Sequence, residues 1–236
     1  PIRIDAETGQ DRPETHRIGE EILAGYVAGA LPEAFGLVVA AQASLDATTR
    51  ARLDTLEAIG GAVLDQCDCV EMAPGSLDAV LARIASEGGA GDAATAAEER
   101  TMPAPPEMGD DILPAAVRSY VGGGLDAVRW RAIGMGARQA ILHETGEASV
   151  RLLHIPAGSE LPDHGHHGTE LTLVLQGAFR DGEQRFARGD VETADAETEH
   201  TPVADPGEDC ICLVACEGKL KFSGLLPRIA QPFIRI

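Results

Sequence analysis

Gly158-Ser-Glu-Leu-Pro-Asp-His164-Gly-His166-His167-Gly-Thr-Glu170-Leu-Thr-Leu-Val-Leu-Gln-Gly177 is the stretch on which the reading of this chain turns. Three histidines and an acid crowd into His164–Glu170, and an apolar segment bounded by glycine follows. In an extended strand, residues two apart share a face, so His164 and His166 can aim at one point. Glu170 lies at an even offset and stays on that face as the chain enters the next strand. His167 has the opposite parity and reads as lying behind the ligands or facing solvent. Downstream, Gly189-Asp190 marks a turn and His200 sits near the start of another strand. Three imidazoles and one carboxylate suit Zn²⁺, Fe²⁺, Mn²⁺, Ni²⁺ or Cu²⁺, with zinc preferred. The candidate metal ligands are therefore His164, His166, Glu170 and His200.

Around this stretch the residue period is two. Trp130-Arg131-Ala132-Ile133, Arg138 to Leu142, Ser149 to Ile155, Glu170 to Leu175 and Asp209 to Val214 read as strands separated by Gly-, Asp- or Pro-rich turns. Many short strands with no helices between them suggest a sandwich or barrel. His143 and His154 fall in predicted strands and read as structural.

Toward the N-terminus the period changes to that of helices. Ile22, Leu23, Tyr26 and Val27 form one apolar face, and Pro32 suits the first turn of a second helix bearing Phe35, Val38, Val39 and Leu45. A third helix, about 47–64, carries Leu53, Leu56, Ile59 and Val63, and Ser76 suits the start of a fourth with Leu77, Val80, Leu81 and Ile84. Residues 1–15 are polar and irregular, and read as a loose arm. Between the halves, Gly88, Gly89 and Gly91 precede an alanine- and acid-rich run and Met102-Pro103-Ala104-Pro105-Pro106, a linker composition. The expected organisation is α + β in two domains: a helical domain over 1–85, a linker over 86–111 and a β-rich domain over 112–236.

The 236 residues carry a formal charge of −19 and only 3 % aromatics. Phosphate backbones would be repelled and stacking surfaces are scarce, so direct nucleic-acid binding is not expected, whereas a basic protein would be attracted. No basic segment followed by an apolar run opens the chain, and no stretch approaches the ~20 apolar residues of a membrane span. Cys67, Cys69, Cys210, Cys212 and Cys216 form no regular framework, which reads as a cytoplasmic protein with reduced thiols. Cys210, Cys212 and Cys216 share one face of a predicted strand and read as small core residues in preference to a redox or metal role. Cys67-Asp68-Cys69 is a weak metal signal with no histidine beside it.

Gly158-x5-His164-x-His166-x3-Glu170-x6-Gly177 resembles the first cupin motif at every defining position, and Gly189 and His200 fit the looser second motif. That resemblance implies a double-stranded β-barrel, or jelly roll, over 112–236, with the metal held inside by His164, His166, Glu170 and His200.

The whole chain is similar to the ChrR family of anti-sigma factors. The resemblance rests on Leu23-Ala-Gly-Tyr-Val-Ala-Gly29, Glu33-Ala-Phe-Gly-Leu-Val-Val-Ala40, Asp126-Ala-Val-Arg-Trp-Arg131, Arg138-Gln-Ala-Ile-Leu142 and Glu170-Leu-Thr-Leu-Val-Leu-Gln-Gly-Ala-Phe-Arg-Asp181. His200-Thr-Pro-Val203, Asp209-Cys-Ile-Cys-Leu213 and the ending Leu226-Pro to Ile236 fit as well. It implies a helical head that sequesters an extracytoplasmic-function sigma factor, and a cupin-like domain through which oxidative stress of the singlet-oxygen type releases it. The family's head holds zinc through two histidines and a Cys-x2-Cys pair. Here the first position matches His16, but Gln42, Asp46 and Thr49 stand at the others. Without thiolates such a set does not make a structural zinc site, so one metal ion per chain is expected, in the β-rich domain. The regulatory reading involves no catalysis. Two alternatives stay open: a cupin metalloenzyme, a dioxygenase or isomerase acting on a small molecule, and a ligand-binding barrel whose head makes a homodimer.

Overall fold

Helix α2 (Glu33–Leu45) is apolar almost all round, and such a helix is stable only when other elements cover it. The computed structural model describes residues 12–87, 112–165, 167–218 and 221–222; the side chains of His164, Lys221 and Phe222 lie outside the described set, as does all of His166. In it α2 crosses one face of a β-sheet, with α5 (Ala115–Val121) and α1 (Glu20–Val27) packed beside it. Asp46 ends α2 and serves as N-cap to α3 (Ala47–Asp65): its Oδ2 accepts from the amide of Thr49 at 2.9 Å.

The β-rich half comprises β1 (Arg131–Gly134), β2 (Ala137–Glu144), β3 (Ala148–Ile155), β4 (His164–Gly165), β5 (Glu170–Gln176) and β6 (Ala178–Asp181). It continues with β7 (Gln184–Ala187), β8 (Val191–Ala194), β9 (Glu199–His200), β10 (Val203–Ala204), β11 (Cys210–Glu217) and β12 (Lys221–Phe222). Strands β1-β2-β3-β11-β5-β8 form one sheet in that order, while β10-β6-β7 and β12-β4-β9 form two smaller ones. Every pair is antiparallel. This is the helical region followed by an antiparallel cupin-like domain that the sequence pointed to.

Successive residues of β11 serve different cores. Ile211, Leu213 and Ala215 pack with Phe35, Val38 and Val39 of α2, whereas Cys210, Cys212, Val214 and Cys216 meet Phe179 and Phe186 of the β6–β7 hairpin. With both faces covered, β5 and β11 are buried almost end to end instead of alternating. Gly177 closes β5 at φ +67°, and a Cβ there would lie 2.7 Å from the carbonyl oxygen of Asp209. No other residue fits that turn without moving the backbone.

The described residues up to Gly61 and from Ile112 onward form one compact unit; residues 62–87 are the described part of a second. Within that second part runs α4 (Ser76–Glu87). Of the expected 86–111 linker, residues 88–111 lie outside the described residues.

The loose arm is corrected in part. Residues 1–11 lie outside the described residues, but Glu14–His16 forms a 3-10 turn and Arg12 is ion-paired to Asp46. Partners this far along the chain leave no local signal.

Candidate metal centre

Glu170 opens β5 on the face away from α2, opposite Cys216 of β11 and Ala194 of β8. It is buried, and both carboxylate oxygens are held: Oε1 accepts from the Thr172 hydroxyl at 3.2 Å and Oε2 from the Cys216 thiol at 2.9 Å. The carboxylate is therefore oriented by the sheet that carries it.

His200 comes from β9. Its register partner across the antiparallel pair is His164 of β4, with Gly165 opposite Glu199. Paired Cα atoms of that kind stand roughly 4.5–5.5 Å apart, so two of the expected ligands are brought together although 35 residues separate them in sequence. His166, the third imidazole expected, lies outside the described residues.

Two acids that the sequence reading did not select join this group. His200 Nδ1 lies 3.6 Å from Glu192 Oε2 and 3.5 Å from Asp181 Oδ2. Ligand-capable atoms of Asp181, Glu192 and His200 all fall within 4.8 Å of one another. Burial pushes the Glu192 carboxyl upward, with Asp181 and Glu170 adding to the shift and His200 opposing it. Burial alone would lower His200, but Glu192, Glu170 and Asp181 outweigh it and favour the imidazolium. Glu192 lies on a four-residue strand and Asp181 ends another, elements too short to declare themselves by alternation.

Carboxylates gathered round one imidazole, Glu192 buried and Asp181 half-buried, are costly to keep ionised unless the imidazolium or a bound metal cation balances them. The donors are oxygen and imidazole nitrogen, which fit a borderline divalent ion such as zinc, iron or manganese. Burial, then the Glu170 charge, pushes the Cys216 thiol up, and a hydrogen bond with Cys210 and burial do the same to Cys212.

Of the cysteines, Cys216 reaches this group through Glu170, while His143 and His154 are engaged elsewhere. His143 Nε2 lies 3.5 Å from Glu33 of α2, His154 Nε2 lies 3.0 Å from Asp209, and His167 is exposed. Cys210, Cys212 and Cys216 are core residues, whereas Cys67 and Cys69 are exposed.

A second ion does not fit at His16, Gln42, Asp46 and Thr49. The last three are fully buried, but they already satisfy one another. Asp46 Oδ2 accepts from the Thr49 hydroxyl at 2.7 Å and lies 3.1 Å from Arg17 Nε, while Oδ1 lies 3.0 Å from Arg12 Nη1. Gln42 Oε1 accepts from the amide of Ile18 and the hydroxyl of Thr49, both at 3.3 Å. Two guanidinium cations occupy the ground that an added cation would need.

The chain is similar to known proteins along most of its length. The family model described as the ChrR cupin-like domain matches residues 121–220. The anti-sigma-E factor ChrR of Cereibacter sphaeroides is 48 % identical over 221 residues, covering 94 % of this chain and 98 % of that protein. The crystal structure of Rhodobacter sphaeroides SigE in complex with the anti-sigma ChrR is similar at a TM-score of 0.71 and 47 % identity, covering 85 % of this chain and 98 % of that one.

Proposed function

The chain belongs to the ChrR family of anti-sigma factors, and from that premise we propose that it sequesters an extracytoplasmic-function sigma factor in the cytoplasm, and that a metal-bearing cupin-like domain governs release under oxidative stress. The observation that carries this reading is the apolar face of α4. Leu77, Val80, Leu81 and Ile84 lie at helical spacing and are 53–67 % exposed. Four large aliphatic side chains in a row on an exposed helix are what a groove-binding partner buries. Val63 and Leu64 near the end of α3 are exposed too. The charge of −19 adds long-range attraction for a protein whose DNA-contacting faces are basic.

In this reading His164, His166, Glu170 and His200 hold one zinc ion, with Glu192 and Asp181 fixing the imidazole of His200. Bound zinc would supply charge neutralisation for the buried carboxylates and a structural lock on strands β4, β5 and β9. Similarity to an anti-sigma factor along nearly the whole chain favours a sensor over an enzyme.

The test is reconstitution. The purified chain, mixed with each extracytoplasmic-function sigma factor of its host, should form a 1:1 complex with one of them and silence that factor's promoter in a run-off assay. An oxidant of the singlet-oxygen type should then restore transcription. Failure to bind any of those factors would overturn the proposal.

A further inference from the structure

Arg12 adds a polar link between the helices and the β-rich half to the apolar packing of α2 on the sheet. Its guanidinium uses all three nitrogens: Nη1 lies 3.0 Å from Asp46 at the end of α2, Nε is hydrogen-bonded to Asp190 at the β7–β8 turn, and Nη2 donates to the Arg188 carbonyl at 3.0 Å. A planar fork can serve partners on separate elements at once, which a single ammonium could not. The flanking groups repeat the link. Gln42 Nε2 donates to the Gly189 carbonyl at 3.3 Å, and His16 Nδ1 lies 3.4 Å from Asp190 Oδ2. The His16 ring also packs on Phe186, with centroids 4.4 Å apart. On the sheet side, Asp190 Oδ2 accepts from the Ala187 amide at 2.8 Å, so the turn itself is fixed. Gly189 leaves the room required: it adopts φ +87°, and a Cβ there would lie 2.5 Å from Arg12 Nη2.

The charges balance. Arg12 and Arg17 face Asp46 and Asp190, and all four side chains are at most 12 % exposed. Arg17 also donates to the Arg12 carbonyl at 2.6 Å, which ties the second cation to the first. A buried ion cluster of this kind is destabilised strongly when one member is removed, because the partner charge is left in a low-dielectric site.

We propose that this Arg12-centred cluster is a metal-free clasp that fastens residues 12–18 and helix α2 to the β7–β8 turn, in place of the zinc site that the family resemblance implies at His16, Gln42, Asp46 and Thr49. The proposal concerns the joint between helices and sheet and stands whether or not the chain binds a sigma factor.

Hydrogen exchange on the full-length, zinc-loaded chain tests it, with Arg12→Gln and Asp190→Asn beside the wild type and Asp205→Asn as a surface ion-pair control. Both clasp variants should exchange amides in 14–18 and 42–49 at least tenfold faster, while β3 and β11 keep their protection and zinc content stays at one per chain. If Asp190→Asn fails to fold, Arg12→Lys keeps the charge but not the fork, and should give the same local loosening. Wild-type exchange at 14–18 in the Arg12 variants would overturn the proposal. So would a second zinc ion bound by the wild type and lost on Gln42→Ala.

Discussion

Asp190 ends the β7–β8 turn and Glu192 lies two residues on in β8, the first holding Arg12 and the second lying 3.6 Å from Nδ1 of His200. Only Val191 separates a contact to the helices from a contact to the candidate metal centre. The turn is fixed by the Asp190 side chain, so a shift of Glu192 is expected to reach Asp190. Zinc loading should then slow amide exchange at 14–18 several-fold in the wild type but not in Arg12→Gln, as expected for two coupled sites. Equal exchange with and without zinc would separate the two sites.

Glu192→Gln should weaken zinc binding about 10–100-fold, the usual effect of removing a carboxylate that orients a ligating histidine. Competition against a chromogenic chelator measures it. His166→Ala should abolish the tight site altogether, and neither change should alter the helical signal in circular dichroism.

Leu81→Asp places a charge on an α4 side chain that is 54 % exposed, so the melting temperature should stay within a degree or two of wild type. Affinity for the sigma factor should fall by about 2 kcal/mol or more, roughly 30-fold, if this residue sits in the core of the interface. Calorimetric titration reads the change.

Asp46 supplies a pH dependence. Burial would raise its carboxyl, but the hydroxyl and amide of Thr49, with Arg12 and Arg17, outweigh that and hold it below the usual aspartate value. A depressed folded-state value means that this stabilisation is complete above about pH 4 and is lost as pH falls through that region toward the folded value. Asp46→Ala should cost about 2–4 kcal/mol at pH 7, through the lost cap and the unpaired guanidinium groups, and progressively less as the pH falls below about 4. Urea melts across an acid pH series check it.

Thiol reactivity should divide two to three. Cys67 and Cys69 are exposed and should react with an aromatic disulfide reagent within seconds to minutes, whereas Cys210, Cys212 and Cys216 are buried and should react only on unfolding.

The sequence showed part of this architecture and hid the rest for physical reasons. Long apolar elements such as α2, β3, β5 and β11 were legible because each runs for seven residues or more between turn or cap signals. Strands β6, β7, β8, β10 and β12 were not, since two to four residues cannot establish a period, and His200, expected near the start of a strand, ends β9. His164 and His200 were selected as candidate ligands from spacing, and the register of β4 and β9 sets them opposite one another. Asp181 and Glu192 were missed because nothing near them in sequence suggests a metal. Gln42, Asp46 and Thr49 could be seen as poor zinc ligands, but their replacement by Arg12 and Asp190 depends on contacts spanning up to 178 residues.

Native mass spectrometry of the chain with its cognate sigma factor tests the central claim most directly, because one spectrum counts both partner and metal. The account predicts one chain, one sigma factor and one zinc ion, with the zinc absent and the sigma factor retained for His166→Ala. A complex carrying two zinc ions would contradict the metal-free clasp, and a chain that holds zinc but never a sigma factor would contradict the function.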